Sequence, residues 1–294
     1  KNYKYFINYR FIIFFTVVFA LSLNVAVDLR LGWDAQNYWF MKSLNFTNGG
    51  NILDLQNFPR PDYPHFGSYL WALFRSVSIL DHEYFGRIFY LYIFLTSIYS
   101  ILNFIEISDL NKTILFLLVV TILNNNYLLS GYQEILVFTY AIIIGCIFLN
   151  NDKKILELRN SINLLICFFI IFWIKNEGII FSFLFLISII FLNLKSKKKV
   201  FLLIALFTFI YLFKVILAKI YGLDINLQSG NYENFQINNL NFYFSLDRIL
   251  LILKYTIISF IKAPISIILT VGVFVNYFIK PNKTNKIMLL NFTL

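Results

Sequence analysis

Apolar runs of near-membrane length dominate this chain and limit what it can fold into. Eight of them alternate with short polar or basic segments, at residues 11–27, 84–105, 113–130, 132–150, 161–174, 178–194, 199–221 and 248–278. A helix needs about 20 residues to cross a bilayer core, because it rises ~1.5 Å per residue through ~30 Å of hydrocarbon. The sequence therefore predicts an all-α, polytopic helical membrane protein, although several runs are short for a full span.

Composition supports this class and excludes others. Hydrophobic residues make up 59% of the 294 residues and charged residues only 14%, with a mean hydropathy of +0.72. Soluble domains have a far more polar balance. The net charge of +10 comes from Lys and Arg in short clusters between apolar runs, the pattern of topology signals. We therefore expect the lipid bilayer as a partner and no nucleic acid.

Basic clusters orient the predicted spans. They precede the first run and follow the fourth and the sixth, at Lys1, Lys4, Arg10, Lys153, Lys154, Arg159, Lys195, Lys197, Lys198 and Lys199. These flanks are predicted to be cytoplasmic, because Lys and Arg concentrate in cytoplasmic loops. The run 66–80 has apolar residues at helical spacing but is interrupted by polar ones, so we assign it to an amphipathic helix on the outer surface. The loop 28–83 is then extracytoplasmic.

This topology predicts one membrane module followed by further C-terminal segments. Residues 1–221 are predicted to form the module, followed by an extracytoplasmic loop at 222–246 and further spans within 247–294. Leu294 lies inside a fresh apolar run. We therefore expect the natural protein to extend further.

The first outer loop carries the most informative motif, Trp33-Asp34-Ala35, directly after the first apolar run. A carboxylate so close to a bilayer is costly unless it has a function, so Asp34 is the candidate catalytic acid. Lys42, eight residues further on, falls on roughly the same face if the intervening segment is helical. The alternative is that Asp34 caps this helix and the neighbouring aromatic residues anchor it at the interface.

A second polar site is predicted at the head of the fourth span, where residues 130–134 read SGYQE. Glu134 would need a cavity or a cation there, because an unpaired carboxylate is unfavourable inside a span. The alternative is that Gly131 ends one helix and Glu134 begins the next, where the helix dipole favours an acid.

The third polar site is Lys175-Asn176-Glu177-Gly178, which interrupts an apolar stretch of about 34 residues. One helix of that length would reach ~50 Å, so the chain must turn near Gly178. Lys175 and Glu177 then line a polar depression on the same outer side as Asp34. Their alternative role is a mutual charge pair that makes the turn tolerable, and the two roles can coexist.

In this order, the motifs resemble those of the GT-C superfamily, polytopic glycosyltransferases that take sugars from polyprenyl-phosphate carriers. Related branches include protein O-mannosyltransferases and the enzymes that add aminoarabinose to lipid A. The similar features are the first-loop acid Asp34, the Tyr-Pro element at 63–65, the acid Glu134 after a Gly, and the segment 175–178. The resemblance covers about the first 220 residues. The family module has seven spans and two juxtamembrane helices in its first outer loop, in agreement with the topology above.

The chain departs from the family pattern at three places. It has a single first-loop acid where some branches have an adjacent pair, His65 in place of a second Pro, and Glu134 where an Asp is more usual. No cofactor is indicated by the residues, and they neither require nor exclude a divalent metal ion.

The resemblance implies inverting sugar transfer on the extracytoplasmic face, with the site facing the periplasm or exterior of a bacterial inner membrane. Asp34 would be the base or would orient the acceptor nucleophile, and Lys175 would neutralise the departing lipid phosphate. The other implied substrate contacts are Glu134, Glu177, Tyr63, His65, Tyr132 and Lys42. The expected partners are a polyprenyl-phosphate-linked sugar donor and a lipid, glycan or protein acceptor.

Two other activities suit a chain of this kind. A secondary transporter also places charges in broken helices, but it should have paired interruptions in two related halves, which this sequence lacks. A lipid-linked glycan polymerase or ligase shares the substrates and the compartment. A large Arg-rich outer loop would favour that activity, whereas residues 222–246 contain no Arg.

Overall fold

The structure is a computed structural model that describes residues 8–77, 82–105, 107–123, 129–150, 155–193, 196–223 and 245–262. These residues form helices and connecting turns, with no β-strand among them. The all-α class predicted from the sequence is confirmed for this part of the chain. Most of the predicted loop 222–246 and the end of the last apolar run lie outside the described residues.

Ten α-helices make up the described part of the chain. They are α1 (Tyr9–Val27), α2 (Met41–Thr47), α3 (Phe66–Val77), α4 (Tyr84–Asn103), α5 (Asp109–Leu123), α6 (Glu134–Asn150), α7 (Leu158–Ile174), α8 (Glu177–Leu192), α9 (Lys197–Ile220) and α10 (Leu246–Lys262). A π-helical turn (Ala35–Phe40) leads into α2, and a 3₁₀ turn (Leu53–Asn57) follows it. Each predicted apolar run thus overlaps one of these helices.

Helix length separates these elements into two groups. Helices α1, α4 and α9 are long and apolar enough to cross a membrane, with 19, 20 and 24 residues. Helices α6, α7 and α8 are apolar but have only 17, 17 and 16 residues, or about 25 Å each. The structure therefore supports three of the predicted spans by length and composition.

The chain divides into two compact units. The larger comprises residues 1–186 and 193–224, and the smaller comprises 187–192 and 225–294. The described part of the smaller unit consists of the end of α8 and the amphipathic helix α10. All site residues predicted from the sequence belong to the larger unit.

Helix α4 is the centre of the larger unit, where it contacts α1, α3, α5 and α6. Half of its apolar stretch is buried inside the protein, whereas the buried share is 22% in α1 and in α9. The exposed faces of these two helices carry large apolar side chains, among them Phe15, Phe19, Phe201 and Phe209. Apolar surface of this extent suits contact with lipid better than contact with water.

Helix α3 is the helix predicted for the run 66–80. Its 12 residues measure ~18 Å, too short to cross a bilayer core. It packs on α4 through Trp71, which is fully buried and whose indole N–H donates to the carbonyl of Glu83 at 2.8 Å. Leu73 and Val77 remain exposed. The amphipathic character predicted for this segment is therefore present in the fold.

Arg10 joins three helices of the larger unit at one end. Its guanidinium donates to Asp109 at 3.1 Å and to Asn103 at 3.0 Å, and it lies 5.1 Å from the centre of the Tyr99 ring. The side chain is only 7% exposed. Because a buried charge is tolerated when it is paired and hydrogen-bonded, this network holds the start of α1 against the end of α4 and the start of α5.

Replacing Arg10 with Met should lower thermal stability, because Met keeps the apolar stem but leaves Asn103 and Asp109 without their donor. Hydrogen bonds to charged groups contribute roughly 1.5–3 kcal/mol each, so we expect the unfolding free energy to fall by about 2 kcal/mol. The melting temperature of the detergent-solubilised protein measures this change. Lys198→Met, on the exposed surface of α9, is the control. Equal melting temperatures for the two variants would contradict the role of Arg10.

Candidate functional site

Asp34 lies one short loop after the end of α1. The backbone N–H of Gly32 donates to the carbonyl of Ser130 at 2.9 Å, which holds this loop against the turn before α6. Asp34 has helical backbone angles but makes no capping hydrogen bond. Its side chain is half-buried, and it has no hydrogen bond or ion pair with any of the described residues. The carboxylate is therefore available to a ligand, and the capping role considered above does not match the geometry.

Gly131 makes the turn that Asp34 packs against. Its φ is +85°, and a Cβ at this position would collide with the Trp71 ring and lie 3.4 Å from the Cβ of Ala35. Glycine suits this position because it adopts positive φ without penalty and leaves room for the indole. The Asp34 segment and the head of α6 are consequently in direct contact.

Gln133 fixes the same turn from the other side. It is fully buried and donates to the Tyr90 hydroxyl at 3.0 Å, and that hydroxyl donates to the carbonyl of Gly67 at 2.5 Å. Gly67 has no side chain, so the Gln133 amide can approach the α3 backbone closely. Because α3, α4 and the turn share this buried chain of hydrogen bonds, the start of α6 is held rigidly.

Glu134 is the first residue of α6, and its carboxylate meets the ammonium group of Lys175 at 2.5 Å. The side chains are 35% and 15% exposed, so this pair is only partly solvated. One carboxylate oxygen of Glu134, Oε2, is buried and has no hydrogen-bond partner. Glu134 thus faces a cation, one of the two environments that the sequence predicted for it.

The chain turns between α7 and α8, as predicted from the length of the apolar stretch that contains both helices. Lys175 has an extended backbone, and α8 begins two residues later at Glu177. The Glu177 carboxylate is 61% exposed and lies 3.9 Å from the Lys175 ammonium. The turn is close to α7 because Gly178 packs on Ile171, where a Cβ would lie 2.7 Å from the carbonyl oxygen. The charge pair expected between Lys175 and Glu177 is therefore present, in addition to the pair with Glu134.

Asp34 and Lys175 come to the same end of the larger unit through the turn 130–134. Gly32 and Ala35, on either side of Asp34, contact that turn, and Glu134 at its end holds Lys175. The two segments are thus connected through one turn, whereas their position on the outer side of a membrane stays a prediction. The two cavities described below do not include Asp34 or Lys175 among their lining residues.

Lys214 is a candidate residue that sequence analysis missed. It lies in α9, inside a run treated above as uniformly apolar, and its side chain is 8% exposed. Its ammonium donates to the side-chain oxygen of Asn176 at 2.8 Å, in the same turn as Lys175. The signal was present in the sequence, because a lysine inside an apolar run must find a polar partner.

Lys42 occupies a position that differs from its predicted role as a substrate contact. The side chain is fully buried, and its ammonium donates to the backbone carbonyls of Arg60 at 2.9 Å and Tyr63 at 2.7 Å. The amine is also 5.9 Å from the centre of the Trp39 ring. Because its donors are directed at the main chain of the loop, Lys42 holds the loop in place and does not face a ligand in this conformation.

The loop that Lys42 holds is closed by a second interaction. Arg60 has a φ of +57° and forms two hydrogen bonds with the Asp62 carboxylate, both at 3.1 Å. Its guanidinium lies 4.3 Å from the centre of the Tyr63 ring, and that ring stacks on Trp39 at 5.4 Å. Tyr63 is therefore part of an aromatic and cationic cluster beside α2.

Two pKa shifts follow from this packing. Burial lowers the pKa of Lys42 to about 7, while the nearby Asp62 carboxylate opposes the shift. Burial, together with the positive charges of Lys42 and Lys214, lowers the pKa of His65 to about 4. The His65 imidazole is therefore neutral at neutral pH, and Lys42 and Lys214 are its electrostatic neighbours.

His65 and Trp173 border an apolar cavity of about 220 Å³. Their rings meet edge to face at 5.3 Å, and the indole N–H of Trp173 is buried with no partner among the described residues. The rest of the wall is apolar, including Phe169, Leu217 and Leu223. This cavity suits a hydrocarbon segment.

Tyr132 packs against the loop that carries Asp34. Its ring packs directly on the backbone of Gly32, where any side chain would collide with it. Tyr132 and Gly32 also border a second, more polar cavity of about 410 Å³. The loop that carries Asp34 is thus in contact with the Tyr132 ring, as the predicted clustering of these residues requires.

No group of three or more His, Cys, Asp or Glu side chains in the described ranges is arranged to hold a metal ion. A comparison of the chain with models of protein families, with curated proteins and with solved structures finds no match.

Because Lys42 is buried, the free energy of unfolding should increase with pH above pH 7. The unfolded chain keeps this amine protonated up to its ordinary pKa of 10.5, whereas the folded protein releases the proton near pH 7. Stability therefore rises with pH between these values, by up to about 1.4 kcal/mol per pH unit, and is unaffected by this group below pH 7. Thermal melts of wild type and Lys42→Met at pH 6 to 10 measure it. Above pH 7 the unfolding free energy of the wild type should rise relative to that of Lys42→Met. A difference between the two proteins that does not change with pH would contradict the lowered pKa of Lys42.

Proposed function

We propose that this protein is an integral-membrane glycosyltransferase of the GT-C type. It transfers a sugar from a polyprenyl-phosphate donor to an acceptor with inversion, on the extracytoplasmic face of a bacterial inner membrane. The observation that carries the proposal is the carboxylate of Asp34, which has no partner in the described part of the chain and lies at the same end of the larger unit as the Glu134–Lys175 ion pair. An available acid and a held cation are the two groups that such a transfer requires.

The reaction requires a negative group at the acceptor and a positive group at the leaving phosphate. The acceptor oxygen attacks the anomeric carbon and forms the new glycosidic bond while the bond from that carbon to the phosphate oxygen breaks. The acceptor proton passes to Asp34, and the electron pair leaves with the lipid phosphate. A carboxylate is needed where the proton is taken up, and a cation is needed where negative charge accumulates.

Lys175 is the cation proposed for the leaving phosphate. It is 15% exposed, so a bound anion would interact with it in a medium less screening than water. Glu134 and Glu177 orient its ammonium from two sides, at 2.5 and 3.9 Å. Lys214, held by Asn176 in the same turn, adds a second positive charge to this region.

The remaining residues are assigned to the edges of the site. Tyr63 and His65 are contacts to the donor, since His65 borders the apolar cavity that suits a hydrocarbon chain. Tyr132 borders the polar cavity together with Gly32 of the Asp34 loop. The exposed apolar faces of α1 and α9 allow a lipid-linked donor to reach the site from the bilayer without crossing water.

Asp34→Asn should lower kcat by about 10²–10⁴-fold, because the amide cannot accept the acceptor proton. The assay is transfer from a panel of polyprenyl-phosphate sugars in proteoliposomes. Asp54→Asn, a carboxylate of the same outer loop that binds the backbone of Asn51, is the matched control and should retain wild-type turnover. Normal turnover in a folded Asp34→Asn variant would remove Asp34 from the mechanism.

Lys175→Ala should lower kcat by about 10²-fold, because a cation that stabilises developing charge acts mainly in the transition state. Lys175→Arg keeps the charge and should restore part of the rate. A purely structural role predicts instead a lower melting temperature with an unchanged kcat in the fraction that remains folded. Steady-state kinetics and melting curves on the same preparations distinguish the two results.

A further inference from the structure

The polar cavity beside the Asp34 loop has the chemistry of a sugar-binding subsite. It has a volume of about 410 Å³, within the roughly 300–1,000 Å³ typical of small-molecule sites. Five of its lining residues have polar side chains: Asn24, Asp28, Arg30, Ser130 and Tyr132. They supply both donors and acceptors, which is what a ring of hydroxyl groups needs.

The charges around this cavity cancel. Arg30 donates to both oxygens of Asp28 at 2.9 Å. Arg87, which is 2% exposed, is paired with Glu83 and donates to the backbone carbonyls of Asp28 and Leu129. Two cations are thus matched by two carboxylates, and the surroundings of the cavity carry no net charge. A neutral polyhydroxylated ligand fits this balance.

The Asp28 carboxylate is also fixed as a hydrogen-bond acceptor. Its hydrogen bonds from the Arg30 side chain and backbone lower the pKa of Asp28 to about 2. It therefore remains ionised at every pH at which the protein would work, and it offers oxygens to hydroxyl donors. Such charge-assisted hydrogen bonds are stronger than those between neutral groups.

Tyr132 gives the cavity an aromatic wall. Its ring lies flat against Gly32, and the absence of a side chain there is what allows this position. An aromatic face next to hydrogen-bonding groups suits a sugar ring, which has an apolar C–H face and a polar edge. Gly32 is two residues before Asp34, so this cavity borders the loop that carries the proposed base.

We propose that this cavity binds the acceptor and that the acceptor is a neutral sugar, so that the protein extends a glycan. This inference rests on the proposed glycosyl transfer, because it assigns the acceptor subsite of that reaction. The apolar cavity bordered by His65 then serves the donor lipid. The sugar is either free or the end of a lipid-linked glycan, and both present the same hydroxyl groups.

The experiment measures binding and transfer separately on the full-length protein. Saturation-transfer NMR with methyl glycosides of neutral hexoses and pentoses reports binding without a donor. Proteoliposomes loaded with polyprenyl-phosphate sugars report transfer to the same glycosides and to glycolipids that carry the same sugars. The test variants are Asn24→Ala and Asp28→Asn. The matched control is Asn48→Ala, at the exposed end of α2.

We expect the first two variants to weaken glycoside binding about tenfold each, the effect of losing ~1.4 kcal/mol of hydrogen bonding. The ratio of transfer to donor hydrolysis should fall to a similar extent, while Asn48→Ala matches the wild type. Wild-type binding and transfer in both variants would overturn the subsite even if the protein is a glycosyltransferase. Binding that is lost in both variants, without any transfer by the wild type, would instead contradict the proposed function. A preference for glycolipids over methyl glycosides identifies a lipid-linked acceptor.

Discussion

The turn at Gly131 is the constraint on which the described end of the larger unit depends. Only a residue without a side chain fits between the indole of Trp71 and the Asp34 segment with φ near +85°. Once this turn is made, Gln133 reaches the Tyr90 hydroxyl below it and Glu134 reaches Lys175 beside it. Four separate segments of the chain are therefore positioned by one backbone conformation that no other amino acid adopts as easily.

Three buried or half-buried lysines occupy this region, and their partners decide what each can do. Lys42 donates to two backbone carbonyls, so its hydrogen bonds hold a loop. Lys214 donates to a neutral amide. Lys175 faces two carboxylates, one of which has a buried oxygen without a hydrogen bond. A buried acceptor without a donor is unfavourable, so this oxygen of Glu134 suits a donor group such as a sugar hydroxyl.

The two cavities differ in the residues that line them. Aromatic and aliphatic residues from α7 and α9 dominate the first, and His65, Trp173 and Tyr221 are its residues with polar side-chain atoms. The end of α1 and the loop 28–32 line the second and contribute the Asp28–Arg30 ion pair. A reaction between a lipid-borne group and a hydroxylated one needs these two environments within a short distance of one base.

Local sequence was sufficient for much of this fold. Helix positions followed from apolar runs and their lengths, because hydrophobic periodicity and the ~1.5 Å rise per residue are local properties. The turn after Ile174 was predictable because the apolar stretch around it is too long for one span. Asp34 was conspicuous as a charged residue shortly after the first apolar run. The partner of each lysine was decided by tertiary structure, because the paired groups are 18 and 21 residues apart for Lys42, 41 for Lys175 and 38 for Lys214. Residue type indicates that a buried charge needs a partner, but only the packing of α2, α6, α7 and α9 determines which partner is within reach, and so which cation remains for a ligand.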